Sequence, residues 1–158
     1  MGVRTHFMKT PDRVRAHTCE KTNAEIDEKG RRNVHAAAKG PARELSSRIS
    51  KLDQEWDVER VLETNASILA LTGTILGLTV NRKFFAIPCA VLAFLLQHAL
   101  QGWCPPLPIL RKFGIRTQRE IDEEKYALKA LRGDFGGASS ASDPGEKASR
   151  SWNASKTL

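Results

Sequence analysis

Phe84-Phe85-Ala86-Ile87-Pro88-Cys89-Ala90-Val91-Leu92-Ala93-Phe94-Leu95-Leu96 begins the stretch on which the fold turns. From Phe84 to Leu110 there are 27 residues without a formal charge, and from Thr64 to Asn81 there are 18 more. At about 1.5 Å per helical residue, each run spans the roughly 30 Å of a bilayer's hydrocarbon. Phe84, Phe85, Val91, Leu92, Phe94, Leu95 and Leu96 point in every direction around a helix and leave no face for water. Between the runs lies only the tight basic turn Asn81-Arg82-Lys83. The pattern predicts an all-α chain built on a transmembrane helical hairpin over residues 57 to 104. A hairpin buried in a soluble bundle is the alternative, and the length of the uncharged runs favours the bilayer.

Small side chains predict how the two helices meet. Ala66, Ala70, Gly73 and Gly77 recur at spacings of 4, 3 and 4 and form one stripe. Ala86, Ala90, Ala93 and Gln97 form a second. One antiparallel register sets Gly77 opposite Ala86, Gly73 opposite Ala90, Ala70 opposite Ala93 and Ala66 opposite Gln97. Close approach along such stripes is where van der Waals packing stabilises helix pairs in lipid. The same register sets Asn65 opposite His98. The intramembrane polar groups Asn65, Gln97, His98 and Gln101 would then gather near one boundary.

The mean hydropathy of −0.39 conceals this local pattern, because the flanks are polar. Net charge is +7 over 158 residues, and both flanks are basic. Basic flanks around an apolar hairpin suit anionic headgroups. They lack the aromatic interleaving of a nucleic-acid stacking platform, so no nucleic-acid partner is expected. Arg43, Arg48, Lys51 and Arg60 precede the hairpin and Arg111, Lys112, Arg116 and Arg119 follow it, against Arg82 and Lys83 in the turn. That asymmetry predicts a multi-pass membrane protein with both termini cytoplasmic. The first 30 residues hold no apolar run of the signal-peptide kind, and His6 stands where myristoylation needs Ser or Thr.

The flanks read as amphipathic helices, cytoplasmic or interfacial, with disordered termini at 1 to 21 and 134 to 158. Within 22 to 56, Thr22-x-x-Glu25 is a capping box for a helix to about Ala38. Gly40-Pro41 ends it and opens the next, whose Leu45, Ile49, Leu52 and Trp56 form an apolar stripe. That second helix could lie in the headgroup plane or pair with another helix. Asp57 reads as the N-cap of the first spanning helix. In 105 to 133, Leu107 to Phe113 is a short interfacial piece. Thr117-x-x-Glu120 opens a helix to Arg132 with Gly133 at its C-terminal cap and Ile121, Leu128 and Leu131 along one side. The Gly-Gly-Ala-Ser-Ser run after Phe135 is linker composition.

Cys19, Cys89 and Cys104 make neither a CxxC nor an even disulfide set. His6, His17, His35 and Cys19 have no spacing typical of a metal site. A lone membrane His98 reads as a hydrogen-bonded packing residue rather than a haem ligand. Neither metal nor cofactor is expected, and with no nucleophile pair, general base or phosphate loop the chain reads as non-catalytic.

Asp57-Val58-Glu59-Arg60-Val61-Leu62 with Asn65-Ala66, then Gly102-Trp103-Cys104-Pro105 and Leu110-Arg111-Lys112-Phe113-Gly114, resemble the YgaP-like inner-membrane domain over residues 57 to 116. That is a small bacterial two-helix family of unassigned function. The resemblance implies hairpins that dimerise and, in one arrangement, fusion to a rhodanese sulfurtransferase domain, for which this chain has no segment of matching size. The expectation is a membrane element that self-associates as a possible homodimer and presents helices to a cytoplasmic protein partner. The alternative is an accessory role in sulfur or redox handling, with Cys104 as the functional thiol.

Overall fold

The computed structural model describes residues 13–136, all of them in helices or the turns between. In chain order the α-helices are α1 (Arg13–Ala16), α2 (Glu20–Ala38), α3 (Ala42–Asp53), α4 (Val58–Thr79), α5 (Ala86–Gln101), α6 (Leu107–Lys112) and α7 (Gln118–Arg132). A single 3-10 turn, Arg82–Phe85, joins α4 to α5. The chain divides into two compact units, one of residues 13–27 and 56–119, the other of 28–55 and 120–136.

The first unit is the hairpin and what packs at its base. α4 starts where the sequence predicts, because Asp57 caps it by accepting the Arg60 N–H at 2.8 Å. It ends at a turn in which the Asn81 side chain accepts the Lys83 N–H at 2.9 Å. Pro88 falls in the first turn of α5, where its missing N–H costs little. Gly102 closes α5 with φ 76°, a left-handed conformation that favours glycine, and its N–H bonds the His98 carbonyl at 2.7 Å. Along the hairpin the apolar side chains face outward: Leu71 is 63% exposed and Leu78 75%. α4 and α5 lie in the two helical spans that are long and apolar enough to cross a membrane by length and composition. Their most apolar windows are only 17% and 11% buried.

At the base, Val14, Val58, Leu62, Cys104 and Leu107 form a core, with Trp103, Leu110 and Ile115 against it. Full burial of Val58 and Leu107 contributes about 1.5–3 kcal/mol each. Val14 in this core corrects the reading of residues 1 to 21 as disordered: α1 docks here and α2 starts at Glu20. A single anchoring valine amid polar residues carries no periodic signal, so the sequence hid it. Arg13 donates to the Ala99 carbonyl in the last turn of α5. Residues 1–12 and 137–158, also expected to be disordered, lie outside the described residues.

In the second unit, Leu45, Ile49 and Leu52 of α3 pack with Ala37 of α2 and with Ile121 and Leu128 of α7. The choice left open for α3 therefore falls to packing on helices. Trp56 is not on that stripe, since α3 stops at Asp53 and the indole stays 46% exposed with the Arg60 guanidinium 4.3 Å from its ring centre. Glu124 is a buried carboxylate held by Arg48, whose Nε and Nη2 both reach its Oε1 at 2.7 Å, and by Asn33 at 3.3 Å. Leu131, expected to face inward, is exposed. Gly133, at φ 87°, ends α7, and 134–136 continue as an ordered turn with Phe135 6.4 Å from the Tyr126 ring, correcting the start of the C-terminal tail.

Candidate functional site at the base of the hairpin

Glycines set the spacing of α4 and α5. A Cβ on Gly73 would lie 2.7 Å from Pro88 Cδ and 2.8 Å from Ile87 Cβ, and one on Gly77 would lie 3.0 Å from the Phe85 ring. Ala66 and Ala70 are half-buried on the same face of α4. The α5 half of the predicted pairing is corrected. Ala86, Ala90 and Ala93 are exposed, and the face turned to α4 is Pro88, Val91, Leu95 and His98, again at spacings of 3, 4 and 3. Gly73 thus meets Ile87 and Pro88 rather than Ala90.

Polar groups at the base pair differently from the sequence expectation as well. Asn65 is exposed and donates from its amide to the Val61 carbonyl one turn back, at 2.8 Å. His98 is 4% exposed and its Nε2 lies 2.9 Å from Oε2 of Glu59. Glu59 was not singled out in the sequence because an acidic residue in a first helical turn is ordinary dipole complementation. The Glu59 contact occupies Nε2, which leaves Nδ1 as the ring's other nitrogen. That Nδ1 is the buried side-chain polar atom without a hydrogen-bond partner among the described residues. Gln97 is half-buried and Gln101 exposed.

Replacing both members of the His98–Glu59 pair by alanine is expected to destabilise the chain in detergent by less than the two single changes together. A coupling of about 1 kcal/mol is the expected size, since Glu59 is half-exposed. Thermal melts of the four proteins measure it, and strict additivity would mean that the contact contributes nothing.

Beyond the end of α5, Cys104 is 3% exposed among the apolar residues of the base core. Burial pushes its thiol up from the ordinary value, a backbone hydrogen bond with Leu107 opposes this, and the nearby Glu59 charge adds to the rise. A buried thiol held protonated is a poor nucleophile. Cys19 and Cys89 are exposed. Among the described residues no group of three His, Cys, Asp or Glu side chains could hold a metal ion.

A crevice of about 410 Å³ opens beside this base, walled by Leu62 and Leu69 of α4, Phe94 and Leu95 of α5, and Leu110 of α6. Asn65, His98 and Cys104 are among its other lining residues. No family model matches the chain, and no curated protein or solved structure is similar to it.

Proposed function

We propose that the chain is an integral inner-membrane element without catalysis, its hairpin crossing the bilayer with both termini cytoplasmic. In this reading it self-associates through the small-residue face of α5 and presents its flanking helices to a cytoplasmic partner. The observation that carries it is the outward display of large apolar side chains along α4 and α5, such as Ile68, Leu71, Ile75, Leu78, Leu92 and Leu96, each at least half exposed. Soluble monomers rarely leave a run of large apolar side chains exposed along two neighbouring helices. Basic flanks support the orientation and an affinity for anionic headgroups. With Ala86, Ala90 and Ala93 turned away from α4, a small-residue face is left for a second copy. The likeness of residues 57 to 116 to the YgaP-like domain belongs to this same proposal. Sulfur or redox handling by Cys104 loses support from its burial and raised pKa.

Cys89, exposed beside Ala90, makes the reading testable with the native chain. Membranes resistant to carbonate extraction should retain the protein, and mild oxidation should cross-link it as a dimer through Cys89, lost in Cys89→Ser. A cysteine placed at Arg82 should react with an impermeant reagent from outside intact cells, while Cys104 should resist thiol reagents until the protein is unfolded. Extraction by carbonate would overturn the membrane reading; labelling of the C-terminal tail from outside would overturn the orientation.

A further inference from the structure

We infer that the outer face of α6 is a membrane-surface anchor: Ile109 and Phe113 insert into the headgroup–acyl boundary of the leaflet at the base of the hairpin, and Lys112 beside them meets the lipid phosphates. The inference rests on the membrane reading above. α6 packs on the base through Leu107 and Arg111, which are 0% and 1% exposed. At 3.6 residues per turn, Ile109 and Phe113 stand about 200° around the helix from those two, so burying one pair turns the other outward. Phe113 closes α6 with a right-handed helical backbone and so keeps that phase. Ile109 is 57% exposed and Phe113 80%, the highest value for a large apolar side chain among the described residues. Lys112 is exposed between them.

Two features of the same unit make lipid the occupant of this face. The first is continuity. Leu110, next to Ile109, shares the wall of the crevice with Leu69 of α4 and Phe94 of α5, which are 53% and 46% exposed, so an apolar surface runs from the spanning helices onto α6. The second is level. The Val58 N–H donates to the Arg116 carbonyl at 2.9 Å, which ties the turn after α6 to the first residue of α4. There α4 still carries Glu59, Arg60 and Glu63, the last charges before its uncharged run, so α6 lies at the boundary of the hydrocarbon and not in its middle. Trp56 stands at the same end, partly exposed under the Arg60 guanidinium, an aromatic side chain and a cation of the kind that membrane boundaries favour. A face of two large apolar side chains and one lysine fits that boundary: the apolar groups enter the acyl region while the ammonium stays with the phosphates.

The test uses the full-length protein in vesicles of phosphatidylcholine and phosphatidylglycerol. With Cys19→Ser and Cys89→Ser the remaining native thiol is the buried Cys104, so a nitroxide label reports on whichever cysteine is added. Ile109→Cys and Phe113→Cys are labelled separately, at exposed positions that tolerate the probe, and Leu71→Cys serves as the reference on the hairpin. Collisions of each nitroxide are measured with oxygen, which concentrates in hydrocarbon, and with a nickel chelate, which stays in water. Oxygen should dominate at 109 and 113, but by less than at 71, as befits labels roughly 5–10 Å into the boundary. Chelate dominance at either α6 position, with oxygen dominant at 71, would overturn the anchor and leave the membrane reading standing. Few collisions with both reagents at 109 and 113, the mark of a protein contact such as a second copy, would overturn it too. Chelate dominance at 71 as well would overturn both readings.

Discussion

Gly73→Leu is expected to lower the melting temperature of the full chain in mild detergent by far more than Leu71→Phe, at a cost of about 3 kcal/mol against a change near zero. The difference follows from what each side chain meets. Even a methyl group at 73 would sit 2.7 Å from Pro88 Cδ and 2.8 Å from Ile87 Cβ, and a proline ring fixed to its backbone cannot rotate aside. Relief would require α4 and α5 to separate, which forfeits dispersion contacts along the whole interface. Leu71 is 63% exposed and its replacement meets only detergent or lipid. Gly77→Ala should fall between them, because the Phe85 ring at 3.0 Å can shift by a few tenths of an ångström. A Gly73→Leu protein that melts with the parent would show that the helices do not approach this closely.

Arg111→Met should destabilise the first unit by about 2–4 kcal/mol and release residues 13 to 23 to fast hydrogen exchange. Arg111 is 1% exposed and lies among the largest fully buried side chains of the described chain. Its Nε donates to Thr18 Oγ1 at 3.2 Å, its Nη1 to the Ile115 carbonyl at 3.0 Å, and its Nη2 to Asn23 Oδ1 at 2.9 Å. One planar fork thus joins the α1–α2 connection, the start of α2 and the turn after α6. Removing it strands three polar partners at once, and the unbonded acceptors rather than the lost charge account for most of the cost. Arg111→Lys should recover only part of the loss, since an ammonium cannot reproduce the fork. Exchange at 13 to 23 that stays as slow as in the parent would refute the clamp. Read from sequence, Arg111 is one basic residue beside the membrane. Its burial depends on Thr18 and Asn23, more than eighty positions away.

Much of the architecture was legible because it rests on local chemistry. The Asp57 cap, the break at Gly40-Pro41, the α6 segment and the two uncharged helical spans all follow from residue type and spacing over a few turns. The α4 face Ala66, Ala70, Gly73 and Gly77 was legible for the same reason. What went unread was the partner of each face. Val14 in the base core, the Glu124–Arg48 pair, and the Glu59–His98 pair each join residues distant in sequence, where one half looks like an ordinary surface residue.

The α5 face is the sharpest case. Two stripes at helical spacing exist on that helix, one of Ala86, Ala90 and Ala93 and one of Pro88, Val91, Leu95 and His98, and periodicity alone cannot rank them. Composition favours the alanines for a close contact. The tertiary structure selects the other because the 3-10 turn Arg82–Phe85, at about three residues per turn instead of 3.6, sets the phase at which α5 begins. The sequence by itself therefore determined that two apolar helices exist, where they start and stop, and which side of α4 is small. Only the tertiary structure decided which side of α5 meets it, and hence that His98 points inward to Glu59 with one nitrogen unpaired, because helix phase across a turn is a geometric sum over residues that no single residue specifies.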